Sequence, residues 1–237
     1  MDRNPDMTKE AMELEYNRLL GVKKIIWLKQ GLVEDNHTFL GPITTSEGTK
    51  AYTVVTTNGH IDEFARFVND STILMAKVDS LEFDNPIALE NHKRIEVNYQ
   101  ILSEATDQEG KPFTIVRMLL PGTIFSTMSP GDYVYEYIKT LDYKDRSTFP
   151  NGDTVKVMAA LSYLNFIITN KVVIGQRCWR EGMPDYLKLK DEKATQILKS
   201  VFPDRRVIMI DALAVNLGGG GIHCISMHQP TFPRYKH

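Results

Sequence analysis

Apolar and polar positions along this chain change period repeatedly, and the changes predict alternating helices and strands. Thr8 is placed to cap a helix whose apolar positions are Met12, Tyr16, Leu19 and Leu20, and Gly21 suits its C-terminus. Val22 to Leu28 reads as a strand, and Ala51 to Thr56, rich in β-branched residues, as another. The period then lengthens: Ile61, Phe64, Ala65 and Val68 fall on one helical face, which predicts a helix ended by Asn69-Asp70. Thr72 to Val78 predicts a buried strand. Pro86 opens a long helix with Leu89, Ile95, Tyr99 and Leu102 inward, and Phe113 to Leu120 is the next strand. Ser162 to Ile168 and Lys171 to Gly175 read as a hairpin joined near Asn170. Glu192 to Phe202 is a helix stopped by Pro203, and Val207 to Ile210 a strand that feeds a glycine run. The pattern predicts an α/β chain with mixed strand connections. The stretch 121–155 stands apart. Pro121, Pro130, Pro150, several glycines and tyrosines and little periodicity predict a long loop or insertion there, either a binding loop or a surface feature.

Composition narrows the class. The 237 residues suffice for one large domain or two small ones, and 42% hydrophobic with 24% charged residues is ordinary for a globular chain. A net charge of −2 argues against a nucleic-acid partner. No apolar run is long enough to span a bilayer, and Met1-Asp2-Arg3-Asn4-Pro5 does not open a secretory signal, so no membrane partner is expected. Two cysteines, Cys178 and Cys224, are too few for a secreted disulfide framework, which predicts a cytoplasmic protein.

Candidate chemistry lies in two runs. Leu217-Gly218-Gly219-Gly220-Gly221-Ile222-His223-Cys224 delivers a thiol on a backbone stripped of side chains, free to adopt positive φ and to approach a ligand. Thr57-Asn58-Gly59-His60-Ile61-Asp62 offers an imidazole with a carboxylate beside it. With a helix opening at His60, its dipole favours the Asp62 carboxylate and poises the imidazole for proton transfer. Taken singly, each signal is weak. A histidine at a helix start commonly serves structure, and free cysteines are commonly buried and inert, as Cys178 is expected to be. A phosphate cradle would need a helix directly after the glycines, and Ile222 to Met227 shows no helical start. His223, Cys224 and His228 with His60 and Asp62 could ligate a metal, but the paired spacing of zinc sites is missing, so no metal is expected.

Taken together the runs are specific. They are closed by Gln229-Pro230 and joined in order by Lys24-Ile25-Ile26-Trp27-Leu28 with Gly31-Leu32, Ala65-Arg66-Phe67 and Ser162-Tyr163-Leu164-Asn165-Phe166-Ile167-Ile168. This set resembles the agmatine deiminase and bacterial, Porphyromonas-type peptidylarginine deiminase family over nearly the whole chain. The resemblance implies a pentein-like α/β fold of ββαβ modules about a pseudo-fivefold axis. Residues 1–237 would form a single catalytic domain matching the C-terminal portion of the family domain, hence an incomplete ring. It implies hydrolysis of a guanidine to a urea with loss of ammonia, on agmatine in putrescine biosynthesis or on an arginine peptide, with no cofactor. Cys224 would be the nucleophile, His60 the proton carrier and Asp62 the guanidinium partner, with Asn165, Gly220 and Gly221 against the substrate. Three departures accompany it: Glu63 stands where the family's motif commonly has asparagine, residues 36–52 read as an insertion, and the family's upstream Trp-x-Arg-Asp and Glu-Gly-Gly motifs are not found. Two other readings stay open: a non-catalytic scaffold lacking two site carboxylates, and an unrelated cysteine hydrolase of amides using Cys224 with His60.

Overall fold

The computed structural model describes residues 4–56 and 58–229, so Met1, Asp2, Arg3, Thr57 and Pro230 of the runs quoted above lie outside the described residues. Helix α1, Lys9–Leu20, begins where Thr8 accepts a hydrogen bond from the Ala11 N–H and ends where Gly21 turns left-handed at φ +68°. It buries none of its residues. The expected strand at 22–28 does not form. The extended chain pairs with side chains instead of a ladder: the Lys23 N–H with Gln108, the Lys29 N–H and the Gln30 carbonyl with the Asn98 amide.

Helix α2 (Val33–Asn36) leads to β1 (Ile43–Thr44) and β2 (Lys50–Thr53). The helix expected over 61–68 is a single 3₁₀ turn, Ile61–Glu63, followed by strand β3 (Ala65–Phe67). Four apolar residues at helical spacing lose here to a ladder: β3 pairs antiparallel with β4 (Thr72–Lys77), which is buried from Ile73 to Ala76, Ala65 opposite Met75. The dipole argument for His60 falls with that helix, because one 3₁₀ turn has little to sum.

Helix α3 (Pro86–Glu104) is capped by Asn85 and turns Ile87, Ala88, Asn91, Ile95, Asn98 and Leu102 inward, a face rotated from the expected one in which Leu89 and Tyr99 are only half-buried. It returns the chain to β5 (Thr114–Leu119), parallel to β4. The supposed loop at 121–155 is structured: it contains β6 (Phe125–Met128) and α4 (Tyr133–Ile138) before β7 (Val155–Met158). Its tyrosines are what periodicity missed. Tyr135 and Tyr143 are buried with Ile138 against Tyr52, Val54 and Val157, and Phe149 packs beside them.

Strand β8 (Ile167–Ile168) and β9 (Val172–Arg177) form a hairpin, Ile167 opposite Ile174, but only the last two residues of the strand expected over Ser162–Ile168 join the ladder; 162–166 instead turn, with Ser162 Oγ accepting the Leu164 N–H. Helix α5 (Asp185–Val201) starts earlier than expected and crosses to β10 (Arg206–Asp211), parallel to β9. A five-residue helix α6 (Leu213–Leu217), unforeseen in the sequence, separates β10 from the glycines.

Three small sheets result among the described residues, ordered β1-β2-β7-β6, β3-β4-β5 and β8-β9-β10. The last two share one connection pattern: an antiparallel pair, a helix, then a parallel strand, two ββαβ units in a mixed α/β fold. One apolar cluster joins them, with Leu74, Met75, Met118, Phe166, Val173 and Leu198 at its centre. Burying each such side chain contributes about 1.5–3 kcal/mol, enough to fix how the turns at the strand ends face one another.

Candidate active site

Three chain segments meet at one place: the turn at 58–63 before β3, the turn at 162–166 before β8, and the glycine run after α6. The first is held from below by α2. The Gly59 N–H donates to the Asp35 carbonyl at 3.1 Å, and the His60 N–H to the Asp35 carboxylate. Gly31 is required there, since a Cβ on it would lie 2.6 Å from the Gly59 Cα.

Asn165 is the centre of the site. Wholly buried, it accepts the His223 N–H on Oδ1 at 2.8 Å. Its Nδ2 lies 2.8 Å from Glu63 Oε1, 2.9 Å from Asp62 Oδ2 and 3.3 Å from Cys224 Sγ. The sulfur is 4.0 Å from Asp62 Oδ2, and the same carboxylate oxygen is 2.6 Å from His223 Nδ1. His60 Nδ1 is 4.0 Å from Asp62 Oδ1. Cys224, Asp62 and Asn165 are thus brought together, with His60 at the edge of the cluster, 45% exposed in its side chain.

The glycines act differently from the expectation. A Cβ on Gly221 would fall 2.2 Å from Asn165 Oδ1, and one on Gly219, at φ +101°, 2.0 Å from the Val55 carbonyl. Gly221 makes room for the Asn165 side chain, and Gly220 lies beneath the Cys224 side chain, where an added Cβ would be 3.2 Å from Sγ. The run is anchored by a buried polar chain. Asn216 Nδ2 donates to the Gly220 carbonyl and to Gln176 Oε1, the Gln176 amide donates to the Ser162 carbonyl, and Ser162 Oγ donates to the Glu63 carbonyl. Removing one member strands a buried partner at a cost of about 1–3 kcal/mol.

The field at the site is acidic. Partial burial pushes the Cys224 thiol above its ordinary value, and the Asp62 and Glu63 charges push the same way; the Gly221 N–H and the Asn165 amide oppose them. Burial likewise raises Glu63 well above the usual carboxylate range, with Asp62, Asp35 and Glu34 adding to it. Arg66 is the nearby cation. Its guanidinium donates to the Leu164 and Phe166 carbonyls and lies 4.7 Å from the Phe166 ring. Burial lowers its pKa, while Asp62, Cys224 and Glu63 hold it up. In such a site a thiolate can attack an electrophilic carbon while an imidazole protonates the leaving group, and the acidic field favours a cationic ligand.

His223 is the residue sequence reasoning missed. The sequence offers it only as a metal ligand, although its place beside Cys224 is the signal for a contact in the site. Among the described residues no cluster of three metal-ligating side chains forms. Cys178 is 3% exposed, and burial first, then the Asp191 charge, pushes its thiol far up.

The comparisons bear on this geometry. A family model described as Porphyromonas-type peptidyl-arginine deiminase matches residues 1–40 and 43–230. Among curated proteins, the agmatine deiminases of Pseudomonas syringae pv. tomato and Pseudomonas aeruginosa strain LESB58 are 31% and 29% identical over 230 residues, 97% of this chain. The chain spans about half the length of these relatives, 50% of each. A crystal structure provisionally named an agmatine deiminase superposes with a TM-score of 0.68 at 27% identity, covering 97% of this chain and 50% of the other. The agmatine deiminase of Enterococcus faecalis gives 0.61 at 23% identity, covering 94% and 49%, a likeness of fold.

Proposed function

The chain belongs to the Porphyromonas-type peptidyl-arginine deiminase family, and from that premise we propose that Cys224 hydrolyses a guanidine group to a urea with release of ammonia. The observation that carries the reading is the convergence of Cys224 Sγ, the Asp62 carboxylate and the Asn165 amide within 4.0 Å.

The Asp62 carboxylate pairs guanidinium N–H groups and sets the flat head group beside the sulfur. The bound cation and Asn165 favour the thiolate, which offsets burial. The thiolate forms a C–S bond to the guanidinium carbon, and the tetrahedral adduct takes a proton from His60. The C–N bond breaks, ammonia leaves, and an S-bound thiouronium remains. Water, giving a proton back to His60, adds to the same carbon. The C–S bond then breaks, the remaining hydroxyl proton passes to solvent as the urea forms, and the thiolate is restored. Water is the only co-reactant, so the reaction calls for no cofactor.

Agmatine, converted to N-carbamoylputrescine, is the substrate favoured first, because the two Pseudomonas relatives bear that activity in their names. Peptidyl arginine is the second reading, favoured by the exposure of Cys224 and His60. The two ββαβ units support a pentein-like ring of which residues 1–237 form one part. Segment 121–155 belongs to the substrate side in this reading: Tyr133 and Tyr137 line a cavity of about 220 Å³ with Val55, Leu217 and Gly218, next to both motif runs. Two free thiols suit a reducing, cytoplasmic setting.

The test is to incubate the purified chain with agmatine, and separately with a peptide carrying an internal arginine, and to measure ammonia and ureido product. Equimolar ammonia and ureido product from one of them, lost in a folded Cys224→Ala variant, is expected. No product from either, or product that survives Cys224→Ala, would end the proposal.

A further inference from the structure

Beneath the groups that carry the proposed chemistry lies another, Glu63, which that chemistry does not use. It is 3% exposed, and its main-chain carbonyl accepts Ser162 Oγ at 2.6 Å. The Ser162 hydroxyl also takes the Leu164 N–H, so Glu63 and the turn bearing Asn165 are tied together. From there Glu63 Oε1 reaches Asn165 Nδ2 at 2.8 Å.

The Asn165 amide has two N–H donors and faces three acceptors: Glu63 Oε1, Asp62 Oδ2 and Cys224 Sγ. Its opposite edge is fixed, because Oδ1 holds the His223 N–H and abuts the backbone of Gly221. How the two protons are divided therefore decides how strongly the amide supports the sulfur. We propose that Glu63 is a positioning residue: by accepting one Nδ2 proton of Asn165 it aims the other at Asp62 and Cys224, and so stabilises the thiolate. The inference rests on the reading of Cys224 as nucleophile.

Electrostatics agree with the geometry. The groups facing Glu63 are Asp62 from its own turn, Glu34 and Asp35 from α2, Asn165, and Cys224 and Arg66 at the site. Burial, joined by the Asp62, Asp35 and Glu34 charges, pushes the Glu63 carboxyl well above the usual carboxylate range, against the Asn165 hydrogen bond that pulls it down. The resemblance expects an asparagine here; glutamate keeps the acceptor and reaches one methylene further.

Positioning and bare charge have opposite signs. Losing the acceptor weakens the hydrogen bond to sulfur and raises the Cys224 pKa. Losing a negative charge lowers it. The test is alkylation of Cys224 in the folded chain by iodoacetamide, followed by mass spectrometry from neutral to alkaline pH. Glu63→Met, which removes the acceptor at similar volume, is expected to shift the apparent pKa upward and slow neutral-pH alkylation about tenfold, one pKa unit, as Asn165→Ala does. Glu63→Gln keeps an acceptor and is expected to stay within about twofold of the parent. The double variant Glu63→Met/Asn165→Ala is expected to be no slower than Asn165→Ala alone, the mark of two residues acting through one contact. Should Glu63→Met not fold, Glu63→Asp withdraws the acceptor by one methylene and carries the same expectation. Alkylation that is unchanged or faster on losing the acceptor, or losses that multiply in the double variant, overturns the assignment. Iodoacetamide reads the thiolate whether or not any guanidine is turned over, so failure here and failure of the proposed reaction are separate results.

Discussion

The two thiols of this chain sit in opposite surroundings. Cys178 is packed in the main core beside Asp191, and Cys224 is exposed beside Asp62 and Asn165. Both are pushed up, so both are less ionised at neutral pH than an ordinary cysteine, but only Cys224 is reachable. Native labelling with a neutral alkylating reagent should therefore modify one of the two, Cys224, slowly at neutral pH and faster as pH rises through its raised value. Peptide mapping that finds Cys178 labelled in the folded protein, or a Cys224 rate flat with pH, would contradict this. Cys224, His60 and Asp62 could be picked out in the sequence because each lies in a short run with its own chemical logic. The 2.6 Å contact of His223 with Asp62 could not, since 161 positions separate them and only the tertiary fold supplies it.

Among the elements, the glycine run shows why four small residues stand together. Gly219 needs its positive φ and passes against the Val55 carbonyl, and Gly221 yields its volume to Asn165. A Gly221→Ala substitution should push Asn165 off Asp62 and the sulfur, lowering kcat by about tenfold or more on the substrate turned over. Circular dichroism should show the fold retained, and an unchanged kcat would remove Asn165 from the working site. Element existence was largely legible. The capping of α1, the buried β4, the β8–β9 hairpin and the helices α3 and α5 follow from local pattern. The failures have tertiary causes. Residues 61–68 fit a helical face yet extend from Ala65 because β4 offers a ladder, and 22–28 has strand composition but sends the Lys23 N–H to the Gln108 side chain, while Asn98 takes the next residues, Lys29 and Gln30. Segment 121–155 looked irregular because its core is built from tyrosines spaced by loops.

At the scale of the whole molecule, no single module holds the site. Asp62 and Glu63 lead into one ββαβ unit, Asn165 leads into the other, and Cys224 follows the end of the second. Two parallel crossovers and the shared apolar cluster bring them within hydrogen-bonding reach, so the recognition proposed for a flat cation must vanish when the fold is lost. The most direct test compares a haloacetamidine, cationic and flat like a guanidinium, with the matching neutral haloacetamide. The account predicts that the native chain reacts at Cys224 faster with the cation, by about tenfold or more at neutral pH, one pKa unit's worth of electrostatic preference. The preference should disappear in urea and in Asp62→Asn. Equal native rates for the two reagents, or a preference that survives unfolding, would contradict a guanidinium site built around Cys224.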